Sequence, residues 1–598
     1  MSLITDRENL DFLLFDVLFA DDLFLTDAFG HFDREAVIQI LDTAQAIAED
    51  HFLPFAAEAD AEEPWVSDGK AVVPESTANA LHAYADAGFF ALPFPEAQGG
   101  LQAPWVLYMA VVGLFNAANL PVTNYAMLTI AAANLLLVHG SPDLQARFLA
   151  PMLEGRWFGT MCLSEPQAGS SLADIRMVAE QGDDGTYRLR GSKMWISGGE
   201  QEISENIVHM VLAKIPGGPK GAKGISLFLV PKYRLDDAGH PADRNDITLV
   251  GLNHKMGQRG TTNCLLSFGD VGECEGYLIG EPHRGLEYMF HMMNEARIGV
   301  GNGAVASAHA AYLYAVDYAR MRLQGRPLDR RNPAEPQVPL IEHTDIKRLL
   351  MDQKAAAEGG MSLNLYCATL VDRLVTVKDP KVRKSTLGRL ELLTPVAKSW
   401  PSEHCLEANK WAIQVLGGYG YSSDYPVERL YRDNRLNHIH EGAFGIQALD
   451  LLRRKIGGDQ GVAVTALVQD MCATIEDAME ITELASGAGR LHNSVIQLDG
   501  AIETLLRCRD VNRQLANATL FLDGFGTIVV GWLWLRQAMV ATKALNEDGR
   551  SDSERMFLAA KQRTGCYFLK YKLAEASAQI ALCCDLDTTV LDAPSDMF

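Results

Sequence analysis

A carboxylate that opens a helix can rest there on the helix dipole or can accept a proton, and Glu441 is such a residue. It precedes Gly442 and a segment whose apolar positions Ile446, Leu449 and Leu452 recur at helical spacing, ending in Arg453, Arg454 and Lys455. Alone it reads as a dipole-stabilised Glu. Arg322, followed by Gln324 and Gly325, offers the planar fork of donors that suits phosphate oxygens. Within Ile413-Gln-Val-Leu-Gly-Gly-Tyr-Gly-Tyr, Gly417 and Gly418 permit close backbone approach beside Gln414. Met161-Cys-Leu-Ser-Glu-Pro-Gln-Ala-Gly-Ser-Ser and Lys193-Met-Trp-Ile-Ser-Gly-Gly add Ser164, Ser170, Ser197 and Trp195. Taken singly, a Ser in such a turn reads as a cap and a Trp in a strand as core. His438-x-His440-Glu441 has metal-ligand residue types, yet no nearby His or Cys group completes a set, so no metal is expected.

Two glycine-rich stretches fail as nucleotide loops. Gly299-Val-Gly-Asn-Gly follows the helical run from Tyr288 to Arg297 rather than a strand, so small residues for close helix packing are expected. Gly217-Gly-Pro-Lys-Gly-Ala-Lys-Gly lacks the Gly-Lys-Ser/Thr ending and reads as a hairpin loop between two β runs.

The elements that must position these residues follow from periodicity. Apolar spacings of three and four predict helices through residues 35–158, with an N-terminal helical extension over 1–34. Short β runs, including Tyr187-Arg-Leu-Arg-Gly, Ile207-Val-His-Met-Val-Leu and Gly224-Ile-Ser-Leu-Phe-Leu-Val, predict an antiparallel, barrel-like middle domain over 159–285. Helical patterns return over 286–456, broken by a Pro- and charge-rich loop near Arg326 to Pro339, and an additional helical module spans 462–598 beyond the Gly457 to Gly461 break. The fold class is mostly α with a central β domain.

Composition bounds the function. The 598 residues suffice for several domains at roughly 150 each. Hydrophobic residues at 48% and charged residues at 22% describe a globular chain. With 53 basic against 76 acidic residues the net charge is -23, which disfavours nucleic acid and anionic lipid. No secretory signal is visible, and Met127 to Gly140 and Phe525 to Leu535 read as too short or interrupted for a bilayer, which needs about 20 residues. The ten Cys are scattered and nowhere in C-x-x-C, so reduced thiols, a cytoplasmic location and no membrane insertion are expected.

In their order, the motifs from Met161 through Lys193, Arg297, Arg322, Gln414, Tyr425-Pro-Val-Glu-Arg-Leu-Tyr-Arg-Asp and Ile439-His-Glu-Gly resemble the acyl-CoA dehydrogenase family of flavoenzymes. The resemblance covers roughly 35 to 456; the N-terminal extension and helical appendage look like the long bacterial subgroup. It implies FAD, an acyl-CoA substrate, an electron-transferring flavoprotein as acceptor, a homodimer and a role in fatty acid β-oxidation. The implied reaction takes the pro-R α-proton of the thioester while the β-hydrogen leaves as hydride to flavin N5. Glu441 matches the base, and its burial is expected to raise its pKa toward neutrality. Ser164, where relatives commonly carry Thr, matches the hydroxyl beside N5, the Leu163–Ser164 backbone faces the pyrimidine, and Met161 matches a further cofactor-binding position. Ser170 matches a position near pyrophosphate or substrate, and Trp195 and Ser197 a pair packed beside the isoalloxazine. Arg322 and Gln324 match residues reaching FAD bound mainly to the neighbouring subunit, and Gln414, Gly417 and Gly418 match the opposite side of that shared site. Arg297 matches a position that orients substrate or the catalytic segment, with an ordinary surface salt bridge as the alternative, and Gly442 matches a substrate-binding position. The sequence departs at Gly325, where many relatives have Phe, and at Ala443, where many have Thr.

Three other readings share part of this pattern. An acyl-CoA oxidase would have the same fold, FAD and base, although the Ser-Asp-Met-Phe ending lacks the Ser-Lys-Leu address. A flavin-bearing DNA-associated relative would need clustered cations that the appendage lacks. A nitroalkane oxidase would use Asp where Glu441 stands.

Overall fold

The computed structural model describes residues 2–329 and 332–598. Residues 35–299 form one compact unit, and the chain up to residue 34 together with 300–598 forms another. In chain order the elements begin with helix α1 (Arg7–Asp11) of the N-terminal extension and α2 (Arg34–Ile47), followed by α3 (Ala56–Ala61), strands β1 (Trp65–Ser67) and β2 (Lys70–Val72), α4 (Glu75–Asp86), α5 (Trp105–His139) and α6 (Pro142–Leu153). The sheet region comprises β3 (Trp157–Cys162), β4 (Val178–Gln181), β5 (Tyr187–Ser197), β6 (Asn206–Lys214), β7 (Ile225–Pro231), β8 (Tyr233–Leu235), β9 (Pro241–Arg244), β10 (Ile247–Leu252), β11 (Asn263–Phe268) and β12 (Glu275–Ile279).

The β1–β2 hairpin interrupts a stretch expected to be wholly helical. Its signal is Asp68-Gly69: both residues have positive φ (50° and 74°), as a two-residue type I′ turn requires. In the main sheet the strand order is β10-β11-β5-β12-β7-β6-β3, with β4 pairing β5 and β6. Most pairs are antiparallel as expected, but β3 and β4 each run parallel to β6. The Gly217 to Gly224 stretch closes the antiparallel β6–β7 hairpin. Alternate residues of β4, β5 and β11, such as Ala179, Leu189 and Leu266, meet Phe228 and Val230 in the sheet core.

Helix α5 departs from helical dihedrals at Asn119 (φ -159°, ψ 81°), two residues before Pro121. Proline has no N–H to continue the ladder, and beside the break Asn119 Nδ2 donates to the Phe52 carbonyl. The stretches expected to be too short to cross a bilayer belong to longer helices, α5 of 35 residues and the 28-residue helix Ala518–Leu545, whose length and composition would suffice. Their most apolar windows are 94% and 83% buried against protein, as core helices are.

The second unit of the fold is helical: the later part of α7 (Gly285–Met321), then α8 (Thr344–Thr376), α9 (Pro380–Leu416), α10 (Pro426–Arg435), α11 (Phe444–Leu449), α12 (Val462–Met479), α13 (Ala485–Arg507), α14 (Val511–Leu515), α15 (Ala518–Leu545) and α16 (Asp552–Cys584). The appendage is not a separate body, because α15 packs on α8 and α9 and α16 packs on α8. A buried charge cluster ties the parts together. Lys561 Nζ of α16 lies 2.7 Å from Glu358 of α8, donates to Gln537 of α15 and to Asn9 of α1, and Lys354 also pairs with Glu358. Gly301 lies where a Cβ would collide with the Ala397 carbonyl of α9, so the small-residue run does serve close helix packing.

The face assigned to α11 differs from expectation. Ile446 and Leu449 are exposed, whereas Gln447, Ala448, Leu451 and Leu452 are buried. Beyond Leu449 the chain changes to a π-helical turn, Asp450–Ile456, so a 3.6-residue period cannot be extrapolated across it.

Candidate active site

In the sheet unit, the carboxyl end of β3 runs into a strap, residues 163–168, that carries Leu163 and Ser164. The strap is held from beneath by Lys193 of β5, whose fully buried Nζ donates to the Leu163 carbonyl at 2.9 Å and pairs with Glu165 at 3.0 Å. Glu165 also accepts from the Arg176 and Met177 amides and from Gln167. Burial works against its charge, yet Lys193 and these donors hold the carboxyl below its usual range. The Met194 amide donates to the Ser164 carbonyl, which ties the strap to the strand. Met161 is half-buried in β3, in register with Met210, while Ser170 lies exposed further along the loop.

Trp195 stands on a β-bulge. The β5–β11 register advances by three residues on β5 for two on β11, between Ile196↔Cys264 and Lys193↔Leu266. The extra residue puts Trp195 at φ 66° and leaves its indole 59% exposed, outside the core where a strand Trp would ordinarily lie. Ser197, at the end of β5, accepts from Asn263 Nδ2. Thus Leu163, Ser164, Trp195 and Ser197 collect at one end of the sheet, with Met161 leading into it. Arg297 is buried (5% exposed) in the part of α7 that belongs to this unit, which rules out an ordinary surface salt bridge.

In the helical unit, Arg322 and Gln324 sit on an exposed two-stranded stalk. The Leu340 amide donates to the Arg322 carbonyl, and the Gln324 amide donates to Val338. Gly325 has φ 69° there, a conformation that Phe would adopt only with strain. The Arg322 guanidinium lies 5.4 Å from the centre of the Tyr419 ring, in the 3₁₀ turn Gly417–Tyr421. Gln414, Gly417 and Gly418 are all exposed there, and a Cβ on either glycine would meet nothing within 4 Å. The two groups expected on opposite sides of a cofactor therefore adjoin on one chain.

Glu441 and Gly442 form the second feature of this unit. Both have left-handed backbones, φ 51° and 86°. Gln447 Nε2 donates to the Glu441 carbonyl, and Lys398 Nζ donates to the Gly442 carbonyl, each at 2.8 Å. His440 Nε2 faces Asn437 Oδ1; burial, and secondarily Lys398, push its pKa down to about 3, so it is neutral at physiological pH. His438 instead pairs with Glu403 and stacks on Phe444. Ala443 is the N-cap of α11 and makes no side-chain cap bond, as the missing Thr hydroxyl would. Sequence reasoning missed Lys398, Gln447 and Glu165, because a buried polar side chain in a helix or turn has no periodic signature.

This architecture and these motifs place the chain in the acyl-CoA dehydrogenase family. The family's N-terminal, middle and C-terminal domains match residues 34–156, 160–271 and 283–456, and a domain described as acetyl-CoA dehydrogenase C-terminal like matches 466–594. The chain is 35% identical to 3-methylmercaptopropionyl-CoA dehydrogenase of Ruegeria pomeroyi, over 92% of this chain and 94% of the relative. It is 32% identical to a broad-specificity linear acyl-CoA dehydrogenase of Mycobacterium tuberculosis, over 98% of each. Among solved structures, Caenorhabditis elegans ACDH-11 in complex with C11-CoA superposes with a TM-score of 0.75, covering 99% of this chain and 95% of that one at 18% identity. An acyl-CoA dehydrogenase complexed with FAD from Bacillus anthracis superposes with a TM-score of 0.72, covering 96% and 91% at 20% identity. The chain is an enzyme of this family, and its residues fit FAD: an indole stands out from the sheet end, and a guanidinium flanks a turn whose glycine Cα atoms open outward.

Proposed function

We propose that this protein catalyses FAD-dependent α,β-dehydrogenation of an acyl-CoA thioester to the trans-2-enoyl-CoA, with Glu441 as the base. The observation that carries the reading is the Glu441 segment, a carboxylate in a left-handed turn whose two carbonyls are tied down by Gln447 and Lys398. Such restraint fixes the backbone from which the carboxylate extends, and abstraction from a weak carbon acid demands a positioned base. Bound FAD would supply the acceptor for the β-hydride. Toward that cofactor the sheet unit presents the Leu163–Ser164 strap, the Ser164 hydroxyl and the Trp195 and Ser197 pair. Arg322, with Gln324 and the Gly417–Gly418 turn, serves the pyrophosphate end across a homodimer interface. Ser170, Arg297 and Gly442 contact the substrate.

The relatives are named for 3-methylmercaptopropionyl-CoA, linear acyl-CoA and butyryl-CoA, which makes a short linear or thioether acyl chain the first class to try. An electron-transferring flavoprotein is the proposed acceptor, in a cytoplasmic β-oxidation step. The test is anaerobic titration of FAD-loaded protein with butyryl-, octanoyl-, palmitoyl- and 3-methylthiopropionyl-CoA, followed by reoxidation. Bleaching by at least one of them, then rapid reoxidation by electron-transferring flavoprotein and slow reoxidation by oxygen, is expected. A flavin inert to the whole panel would sink the dehydrogenase reading, and fast reoxidation by oxygen alone would turn it to an oxidase.

A further inference from the structure

We propose that Lys398 is a positioning residue for the reaction: by gripping the Gly442 carbonyl, its ammonium holds Glu441 in the left-handed backbone conformation from which the carboxylate acts. The proposal rests on the reading of Glu441 as the base. Lys398 is fully buried in α9, where stripping an ammonium of water is costly and an apolar side chain would fill the space more cheaply. What an apolar residue could not supply is a charge-assisted bond to a main-chain oxygen. That oxygen belongs to Gly442, one residue beyond Glu441, at 2.8 Å.

The surroundings of Lys398 are built to keep it in place. Pro401 has no N–H for the Ala397 carbonyl, and Asn364 of α8 donates to that oxygen instead, at 3.2 Å. Gly301 lets α7 close on the same carbonyl. One turn further along α9, the Ser402 hydroxyl lies between the Lys398 carbonyl at 2.5 Å and the Asn437 carbonyl at 2.9 Å, in donating reach of both. Helix α9 thus grips the segment before and after Glu441, and Gln447 of α11 takes the Glu441 carbonyl itself. A non-glycine residue in the left-handed region returns to ordinary dihedrals unless its neighbours over-determine it. Here Lys398 supplies the charged member of the clamp.

The experiment compares FAD-loaded wild type with Lys398→Met, Lys398→Arg and Glu441→Gln. Three quantities are read: amide hydrogen exchange over residues 439–447, dissociation constants for FAD and butyryl-CoA, and the anaerobic rate of flavin reduction. For Lys398→Met the exchange should speed at least about tenfold and reduction should slow about 10²-fold, the scale of a misplacement near 1 Å, with the FAD dissociation constant nearly unchanged and the loss in rate larger than any loss in butyryl-CoA affinity. Lys398→Arg should restore most of the protection and rate. If Lys398→Met does not fold, Lys398→Gln takes its place, and intermediate losses of protection and rate are expected. Unchanged exchange and rate in the neutral variant, with Glu441→Gln inactive, would overturn the positioning role alone. Near-normal reduction by Glu441→Gln would overturn the base assignment instead, whatever the exchange shows.

Discussion

At Glu441 the backbone carries a cost on the order of 1–2 kcal/mol for a left-handed φ, and the molecule meets it with two directed carbonyl contacts. Spending stability at one residue is how pre-organised sites are commonly built. Glu441→Gln tests what that expenditure serves: the amide is nearly isosteric but cannot accept the proton. Flavin reduction should fall by at least roughly 10²- to 10⁴-fold while FAD and acyl-CoA remain bound. Stopped-flow reduction beside equilibrium binding checks this, and a variant that reduces at the wild-type rate would make Glu441 structural. Lys193 makes a second case. Its removal as Lys193→Met leaves Glu165 charged and buried, so destabilisation of about 3–5 kcal/mol is expected in urea unfolding.

Helices matter here through their ends and their points of closest approach. Helix α11 begins at Ala443 with no side-chain acceptor for its first amides. Ala443→Thr should therefore add about 0.5–2 kcal/mol of stability, read as a rise in thermal midpoint; no rise would mean that those amides are already satisfied. Where α7 crosses α9, Gly301 has no room for a Cβ against the Ala397 carbonyl. Gly301→Ala is expected to destabilise by about 1–3 kcal/mol despite alanine's better helix propensity, and an increase in stability would show that the crossing yields. Elements of this kind were partly legible beforehand. Glycine spacing after Arg297 pointed to close packing, and Gly217 to Gly224 pointed to a hairpin, because backbone freedom is written in residue type. The Asp68-Gly69 turn is equally legible in residue type, although it lies within a stretch of helical periodicity. The bulge at Trp195 was not legible, since it depends on how β5 pairs with β11.

Across the helical unit, Glu358 of α8 pairs with Lys354 of the same helix and with Lys561 of α16, which also reaches Asn9 of α1. Burial alone would raise its pKa, but Lys354 and Lys561 hold it down to about 2. A depressed carboxylate contributes stability that is present above its unfolded pKa of about 4.3 and is lost as pH falls through the folded value. Acid unfolding should therefore steepen between about pH 4.3 and 2, and Glu358→Gln should flatten that limb while costing about 3–5 kcal/mol near neutrality. Circular dichroism across this range checks both, and an unchanged acid limb in the variant would place the charge elsewhere. At the level of assembly, the exposed Arg322 stalk and the Gly417–Gly418 turn lead to the expectation of a homodimer as the smallest active form. Sedimentation that found a fully active, FAD-saturated monomer would refute the shared site.

By itself the sequence determined the class of fold, the family and the identity of the candidate base, because these rest on local periodicity and on an ordered set of uncommon residues. The strand runs, the loop after Arg322 and the break before Val462 follow from backbone preferences that each residue carries with it. Tertiary structure alone decided which polar side chains hold those motifs in place. Lys193 beneath the Leu163 strap, Lys398 on Gly442 and Gln447 on Glu441 each act across gaps of up to 44 residues in the chain. It also decided that the appendage joins the bundle, through a charge cluster drawing on α1, α8, α15 and α16. Such contacts have no signature in spacing, since a buried charge is tolerated only where folding brings its partner.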